Sequence, residues 1–318
     1  MNRRTDERHP GSADGPDRVL ICNPVSGSGD HAPAIRSRAL ERGFDVRETE
    51  AAGDAREFAR DAAAEDVPLL AVAGGDGTVN EVVSGLADAD TLEAVDLAVI
   101  PTGTANLFAR SLGVDDVDSA FEVLDGGVRR RIDVGFVDGR PFVNTCLAGL
   151  SAEANTATPG ELKRRLGVFA YVLTTLRLLP EYEGVPLRVT IEQGESAGSS
   201  TEEWRGSALL VLVGNAFRLP NVGRRDRSTV TDGLLEVTIL EERPSIESFN
   251  EGMISKLLEG ELTPVTRIEA SALSIEGLED EPVAFSLDGE LLAAATLEIG
   301  VRERCLSMYV ESSNALTL

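Results

Sequence analysis

The chain has 318 residues, 42% of them hydrophobic but only 4% aromatic, enough for two ordinary domains with cores built mainly from Leu, Val, Ile and Ala. A formal net charge of −24 opposes general affinity for nucleic acid or anionic surfaces. No apolar run reaches the roughly 18–20 residues that span a bilayer, and the scattered Cys22, Cys146 and Cys305, with histidine only at His9 and His31, argue against a disulfide framework, a zinc site and a Ser-His-Asp triad.

Residues 1–17 are polar and rich in Pro and Gly, and read as a flexible tail without a secretory apolar segment. Val19-Leu20-Ile21-Cys22 reads as a short buried strand, residues 31–43 as a helix, Phe44 to Thr49 as a strand and residues 54–64 as a helix. A strand at 69–73, a helix at 78–87, a strand at 97–100 stopped by Pro101, and helices at about 104–112 and 116–125 follow. Such alternation predicts a parallel sheet with helices on both faces, binding ligands at the carboxyl ends of its strands. From about residue 132 strands dominate, at 133–137, 141–148, 186–193, 205–214, 233–240, 265–276, 282–287, 296–301 and 304–311. Helices are expected only at 161–179 and 245–259, with a Gly/Ser-rich hairpin tip at 194–200. The expected fold is an α/β nucleotide-binding domain followed by a mostly antiparallel β-sandwich.

Three glycine-rich turns join strand to helix in the first half. In Gly74-Gly75-Asp76-Gly77-Thr78-Val79-Asn80-Glu81, glycines let backbone N–H groups approach a phosphate, and the following helix adds its positive end. A carboxylate at Asp76 is repulsive beside phosphates unless a metal or a proton transfer uses it. The turn therefore points to a nucleoside triphosphate, Mg²⁺ and phosphoryl transfer. Asn23-Pro24-Val25-Ser26-Gly27-Ser28-Gly29 and Pro101-Thr102-Gly103-Thr104-Ala105-Asn106 also sit at strand ends. Thr104 suits either a phosphate contact or a helix N-cap. Near the C-terminus, Asp288-Gly289-Glu290 suits a hairpin turn.

In this order and spacing, these segments resemble the diacylglycerol kinase catalytic domain family, which includes sphingosine and ceramide kinases and soluble bacterial lipid kinases. Arg131-Ile132-Asp133-Val134-Gly135, Val143-Asn144-Thr145 with Gly149, Asp232-Gly233-Leu234 and Asp288-Gly289-Glu290 extend the resemblance from residue 18 to about 311. The resemblance implies an ATP-dependent kinase for a lipid hydroxyl, with the fold of NAD kinases and diacylglycerol kinases. It divides the chain into a tail (1–17), a nucleotide-binding domain (18–132) and a lipid-substrate domain (133–301), with a segment from about 302 to 318 packing back on the first. It assigns the nucleotide site to Asn23, Ser26, Thr49, Gly75, Asp76, Gly77, Thr78, Asn80, Glu81 and Thr104. The general base falls on Glu290, with Asp288 second, and Asp76 holds Mg²⁺–ATP or orients the acceptor. A structural Mg²⁺ would be held by Thr229, Asp232 and Leu234. Leu107 departs from the family, which often has an acid there. Lys163, Arg164 and Arg165 either meet lipid headgroups or stabilise their helix.

Only Lys163 and Lys256 are lysines; the other 28 basic residues are arginines. Abundant carboxylates with almost no lysine suggest a salt-adapted, halophilic protein, because molar salt cuts the Debye length to about 3 Å and screens self-repulsion. The rival is an ordinary acidic protein under a codon bias favouring Arg. The expected partner is a lipid at the membrane surface, with no nucleic acid and no transmembrane segment, and the expected location is cytoplasmic, at the membrane periphery. A homodimer is compatible with the sequence. An NAD kinase and a nucleotide-binding regulator without turnover are the alternatives.

Overall fold

The computed structural model describes residues 15–149, 184–192, 201–216, 230–241 and 265–311. Its first part alternates β1 (Arg18–Cys22), α1 (Ala32–Leu40), β2 (Asp45–Glu48), α2 (Asp54–Ala64), β3 (Leu69–Gly74), α3 (Asp76–Asp88) and β4 (Asp96–Pro101). β1 lies between β2 and β3, and β3 beside β4, all parallel. Burial follows from these positions: β3 is buried along its whole length, whereas edge strand β2 is half exposed. The order β2-β1-β3-β4 reverses the path of the chain between β1 and β3. Right-handed crossovers then put α1 on one face and α2 and α3 on the other. α2 buries Ala55, Ala59, Ala62 and Ala63, and these small side chains let α3 approach closely. A Cβ at Gly85 would lie 2.4 Å from the Arg56 carbonyl oxygen. The crevice for a ligand opens at the carboxyl ends of β1 and β3.

Two short helices, α4 (Leu107–Ser111) and α5 (Val117–Gly126), precede the strands of the second part. These are β5 (Val128–Val137), β6 (Arg140–Phe142), β7 (Thr145–Ala148), β8 (Val185–Glu192), β9 (Thr201–Gly214) and β10 (Leu235–Glu241). β11 (Val265–Ala270), β12 (Ala272–Gly277), β13 (Val283–Leu287), β14 (Glu290–Ala294) and β15 (Thr296–Val310) complete them. All but one of their pairings are antiparallel. The first half of β9 pairs with β8, while its second half pairs with β7 on one edge and β10 on the other. Fifteen strands among the described residues share one continuous sheet.

β15 joins the two halves of the molecule. Thr296 to Gly300 pair antiparallel with β12, and Ser307 and Met308 pair parallel with Asp96 and Leu97 of β4. β5 runs antiparallel to β15 through both stretches. Two hydrophobic cores flank this ribbon, one around Leu20, Leu70, Phe108 and Leu306, the other around Phe142, Val213, Val237 and Phe285.

Several elements differ from expectation. The stretch 265–276 is two strands that break at Ser271, because β11 pairs with β10 whereas β12 pairs with β8 and β15. The strands expected at 296–301 and 304–311 are one strand, bulged between Arg302 and Leu306, with Arg304 left-handed at φ 49°. β14 was not expected. The helix expected from 104 begins at Leu107, and the one expected from 78 begins at Asp76. The helices expected at 161–179 and 245–259, the hairpin tip at 194–200 and residues 1–14 of the tail lie outside the described residues, as do Lys163, Arg164 and Arg165.

Candidate functional site

The three glycine-rich turns meet at the carboxyl end of the parallel sheet. The Asn23 side chain donates to Thr78 Oγ1 at 3.2 Å and accepts from the Val25 N–H at 3.1 Å. Ser26 Oγ donates to the Asn23 carbonyl at 3.1 Å and lies 2.5 Å from Thr102 Oγ1. Glycine is required at two of these contacts. A Cβ on Gly27, which is left-handed at φ 58°, would lie 2.1 Å from the Thr102 carbonyl oxygen, and one on Gly103 would lie 2.5 Å from Gly75 Cα. Thr49 is buried at the end of β2, its N–H donating to Cys22 O at 2.9 Å. Gly77 and Thr104 are exposed, and Thr78 is buried. Asn106, left-handed at φ 50°, stands at the N-cap of α4, so Thr104 does not cap that helix. Gly75 is the extended N-cap of α3, and the N–H groups of that helix's first turn, which have no intrahelical acceptor, suit an anion.

Asp76 occupies the first position of α3 and is half-buried. Its carboxylate accepts from the N–H groups of Leu107 at 3.1 Å and Phe108 at 2.9 Å, and from Asn144 Nδ2 at 3.2 Å. It therefore satisfies the first turn of α4 as a capping side chain does. Asn144, of the Val143-Asn144-Thr145 motif, carries this link across to the β part of the molecule. It is 4% exposed, and its Oδ1 is buried with no hydrogen-bond partner among the described residues.

Asp288 and Gly289 form the two-residue loop between β13 and β14, with φ 46° and 101°. Positive φ at both positions is the type I′ hairpin turn that Asp-Gly favours. The Asp288 carboxylate accepts four bonds: from the N–H groups of Val143 at 2.7 Å, Asn144 at 2.9 Å and Thr145 at 2.8 Å, and from Asn80 Nδ2 at 2.9 Å. Burial pushes its carboxyl up to about 6, even though all four N–H donors pull the other way. Asn80 also donates to Pro141 O of β6 at 3.3 Å, so α3 is tied to both the hairpin and β6. Glu290, two residues on, is exposed.

Between α2, α3 and this hairpin lies a cavity of ≈ 590 Å³, lined by Gly53, Arg56, Glu81, Asp288, Glu290 and Leu291 among others. Glu81 accepts from the N–H of Gly53, the N-cap of α2, at 3.1 Å. Arg56 is paired through two nitrogens with Asp88, at 2.8 and 2.9 Å. Sequence reasoning missed Arg56, which sits on a helix whose Ala and Arg spacing signals only amphipathicity.

Asp232 Oδ1 accepts from the Leu234 N–H at 3.2 Å, and Thr229 lies outside the described residues. Beside them, Asp133 is buried and accepts from the N–H groups of Gly233 and Arg304, both at 2.7 Å. Burial raises its carboxyl above the usual range, and Asp232 and Glu303 add to the rise. Among the described residues, no group of three or more His, Cys, Asp or Glu side chains is placed to hold a metal alone. A Mg²⁺ carried on a polyphosphate needs no such cage, because it is bound by one or two carboxylates and the phosphates themselves. Glu81 and Glu290, which line the cavity, and Asp76, at the first position of α3, are the carboxylates available to such an ion.

Residues 17–137 match the diacylglycerol kinase catalytic domain, and residues 144–310 match the YegS C-terminal NAD kinase beta sandwich-like domain. The chain is 33% identical over 284 residues to a diacylglycerol kinase of Bacillus subtilis (strain 168), covering 85% of this chain and 88% of that protein. Against a diacylglycerol kinase of Staphylococcus aureus (strain MRSA252) the identity is 30% over 282 residues, with 85% of each covered. A crystal structure of a diacylglycerol kinase from Bacillus anthracis str. Sterne matches with a TM-score of 0.73 at 26% identity, covering 95% of this chain and 99% of that one.

Proposed function

The chain belongs to the diacylglycerol kinase catalytic domain family, and from that premise we propose that it is an ATP-dependent lipid kinase acting on a hydroxyl of a diacylglycerol-like acceptor. The observation that carries this reading is the ≈ 590 Å³ cavity, into which the β13–β14 hairpin presents Glu290 opposite the N-terminal half of α3. Phosphoryl transfer depends on positioning and charge neutralisation, with one carboxylate taking the hydroxyl proton.

In this reading Asn23, Ser26, Gly75, Gly77 and Thr78 shape the cup for the triphosphate, and the α3 N-terminus faces its charge. Thr49 and Thr104 form the rims, and Glu81 holds the cleft end of α2. Asn80 acts as a strut that seats the hairpin. Glu290 is the general base and Asp288 fixes its position. Bound with the nucleotide, Mg²⁺ would neutralise phosphate charge, with Asp76 holding its water shell. Asp232, with the carbonyls of Thr229 and Leu234, would hold a second, structural Mg²⁺. The reading keeps the division into a nucleotide domain (18–132) and a substrate domain (133–301), a cytoplasmic protein working at the membrane face, and adaptation to high salt. No helix among the described residues is long and apolar enough to cross a membrane.

The test supplies γ-labelled ATP and Mg²⁺ in multimolar KCl with either diacylglycerol-containing lipid or NAD. Label in the organic phase supports the reading. Label only in NADP replaces it with an NAD kinase, and nucleotide binding without transfer to either replaces it with a regulator.

A further inference from the structure

The described residues lining the cavity include three carboxylates, Glu81, Asp288 and Glu290, and one cation, Arg56. Arg56 is anchored. Its Nε and Nη2 both donate to Asp88, the last residue of α3, in the parallel two-bond geometry that fixes a guanidinium plane. A guanidinium has five N–H donors, and this fork uses two. Among the described residues nothing accepts from Nη1, on a side chain that is 50% exposed and lines the cavity. The charges around it are Asp88 on α3, Glu81 on the same helix and Glu290 on β14. Two of these belong to the groups expected to serve the reaction.

We propose that Arg56 binds the phosphoryl group in transit, donating from Nη1 to the non-bridging oxygens of the γ-phosphate of ATP and then to the same oxygens on the lipid phosphomonoester. This rests on the kinase reading above. As the acceptor oxygen bonds to phosphorus, the bond from phosphorus to the β,γ-bridging oxygen breaks and its electron pair leaves on ADP. The hydroxyl proton goes to Glu290. Arg56 exchanges no proton and offsets charge that would otherwise face three carboxylates. Asp88 is its positioning residue, because its two oxygens hold Nε and Nη2 and leave Nη1 for the ligand. Arginines that stabilise such charge are worth 10³–10⁵ in turnover where they act as fingers. A fixed arginine that also holds the ground state gives less of this to turnover and more to binding.

Calorimetric titration of the full chain with Mg²⁺ and either ADP or the β,γ-imido analogue of ATP tests the assignment. Wild type is expected to bind the analogue more tightly than ADP. Arg56→Gln is expected to weaken the analogue at least tenfold and ADP less than threefold, with Arg56→Lys intermediate and Asp88→Asn losing part of the preference. A structural role would move both nucleotides together. An equal loss for both, or a preference unchanged in Arg56→Gln, overturns the assignment of Arg56 and leaves the kinase reading standing. Wild type that binds neither nucleotide overturns both.

Discussion

Asp288 holds together more of the junction than its place in a two-residue turn suggests, and Asp288→Ala measures how much. The substitution removes the acceptor of four N–H groups, three from the backbone of residues 143–145 and one from Asn80. At about 1 kcal/mol net for each bond, the loss is about 4 kcal/mol, reduced where water enters the vacated space. Alanine at φ 46° adds about 1 kcal/mol of left-handed strain. The expected destabilisation is therefore about 3–5 kcal/mol. Urea unfolding followed by Trp204, the single tryptophan, reports on the β part through β9. With a slope near 3 kcal/mol per molar, the midpoint should fall by roughly 1 M or more. The pH dependence has a definite sign. The native carboxyl titrates at about 6 against 3.8 for the ordinary group, so the native state takes up the proton first. The contribution of Asp288 to stability then grows as pH falls from about 6 to about 4, and the gap between wild type and Asp288→Ala widens over that window. A midpoint within 0.3 M (about 1 kcal/mol) of wild type, or a gap that narrows on acidification, refutes this account of the turn.

Gly103→Ala forces a Cβ to within 2.5 Å of Gly75 Cα; it should cost about 1–3 kcal/mol of stability and raise the KM for ATP more than that for lipid, as initial rates would show. Asp76→Ala strips two N–H groups of α4 of their acceptor, so it should lose about 1–2 kcal/mol in thermal unfolding as well as turnover, and an unchanged Tm contradicts the capping role. The net charge of −24 predicts a melting temperature that rises from dilute buffer to multimolar KCl, and a curve that does not move removes the salt adaptation.

The parallel half was legible because its strands are continuous apolar runs punctuated by glycine at their carboxyl ends, and sheet physics puts ligands there. The β half was legible in kind but not in connectivity. Nothing in the alternation of 265–276 marks Ser271 as the point where one strand ends and another begins, since that break is set by which partners pair on either side. The polar run from Arg302 to Arg304 reads as a loop, yet it is the exposed bulge of one long strand. The site divides in the same way. Resemblance alone ranks Glu290 over Asp288 as the base, and the I′ turn gives the physical difference, directing the Asp288 carboxylate into backbone N–H groups and leaving Glu290 exposed at the cavity. The capping role of Asp76 depends on α4, thirty residues on, which no local pattern ties to it.

The most direct measurement compares wild type with Glu290→Gln for transfer of label from γ-labelled ATP into extractable lipid, with Mg²⁺ in multimolar KCl. Glu290 is exposed, so the variant should unfold within about 0.5 kcal/mol of wild type. The account predicts labelled lipid from wild type and a turnover rate lower by about two orders of magnitude or more in the variant, in the range expected for loss of a general base. Glu290→Gln turning over lipid at the wild-type rate, or wild type leaving the organic phase unlabelled, would contradict it.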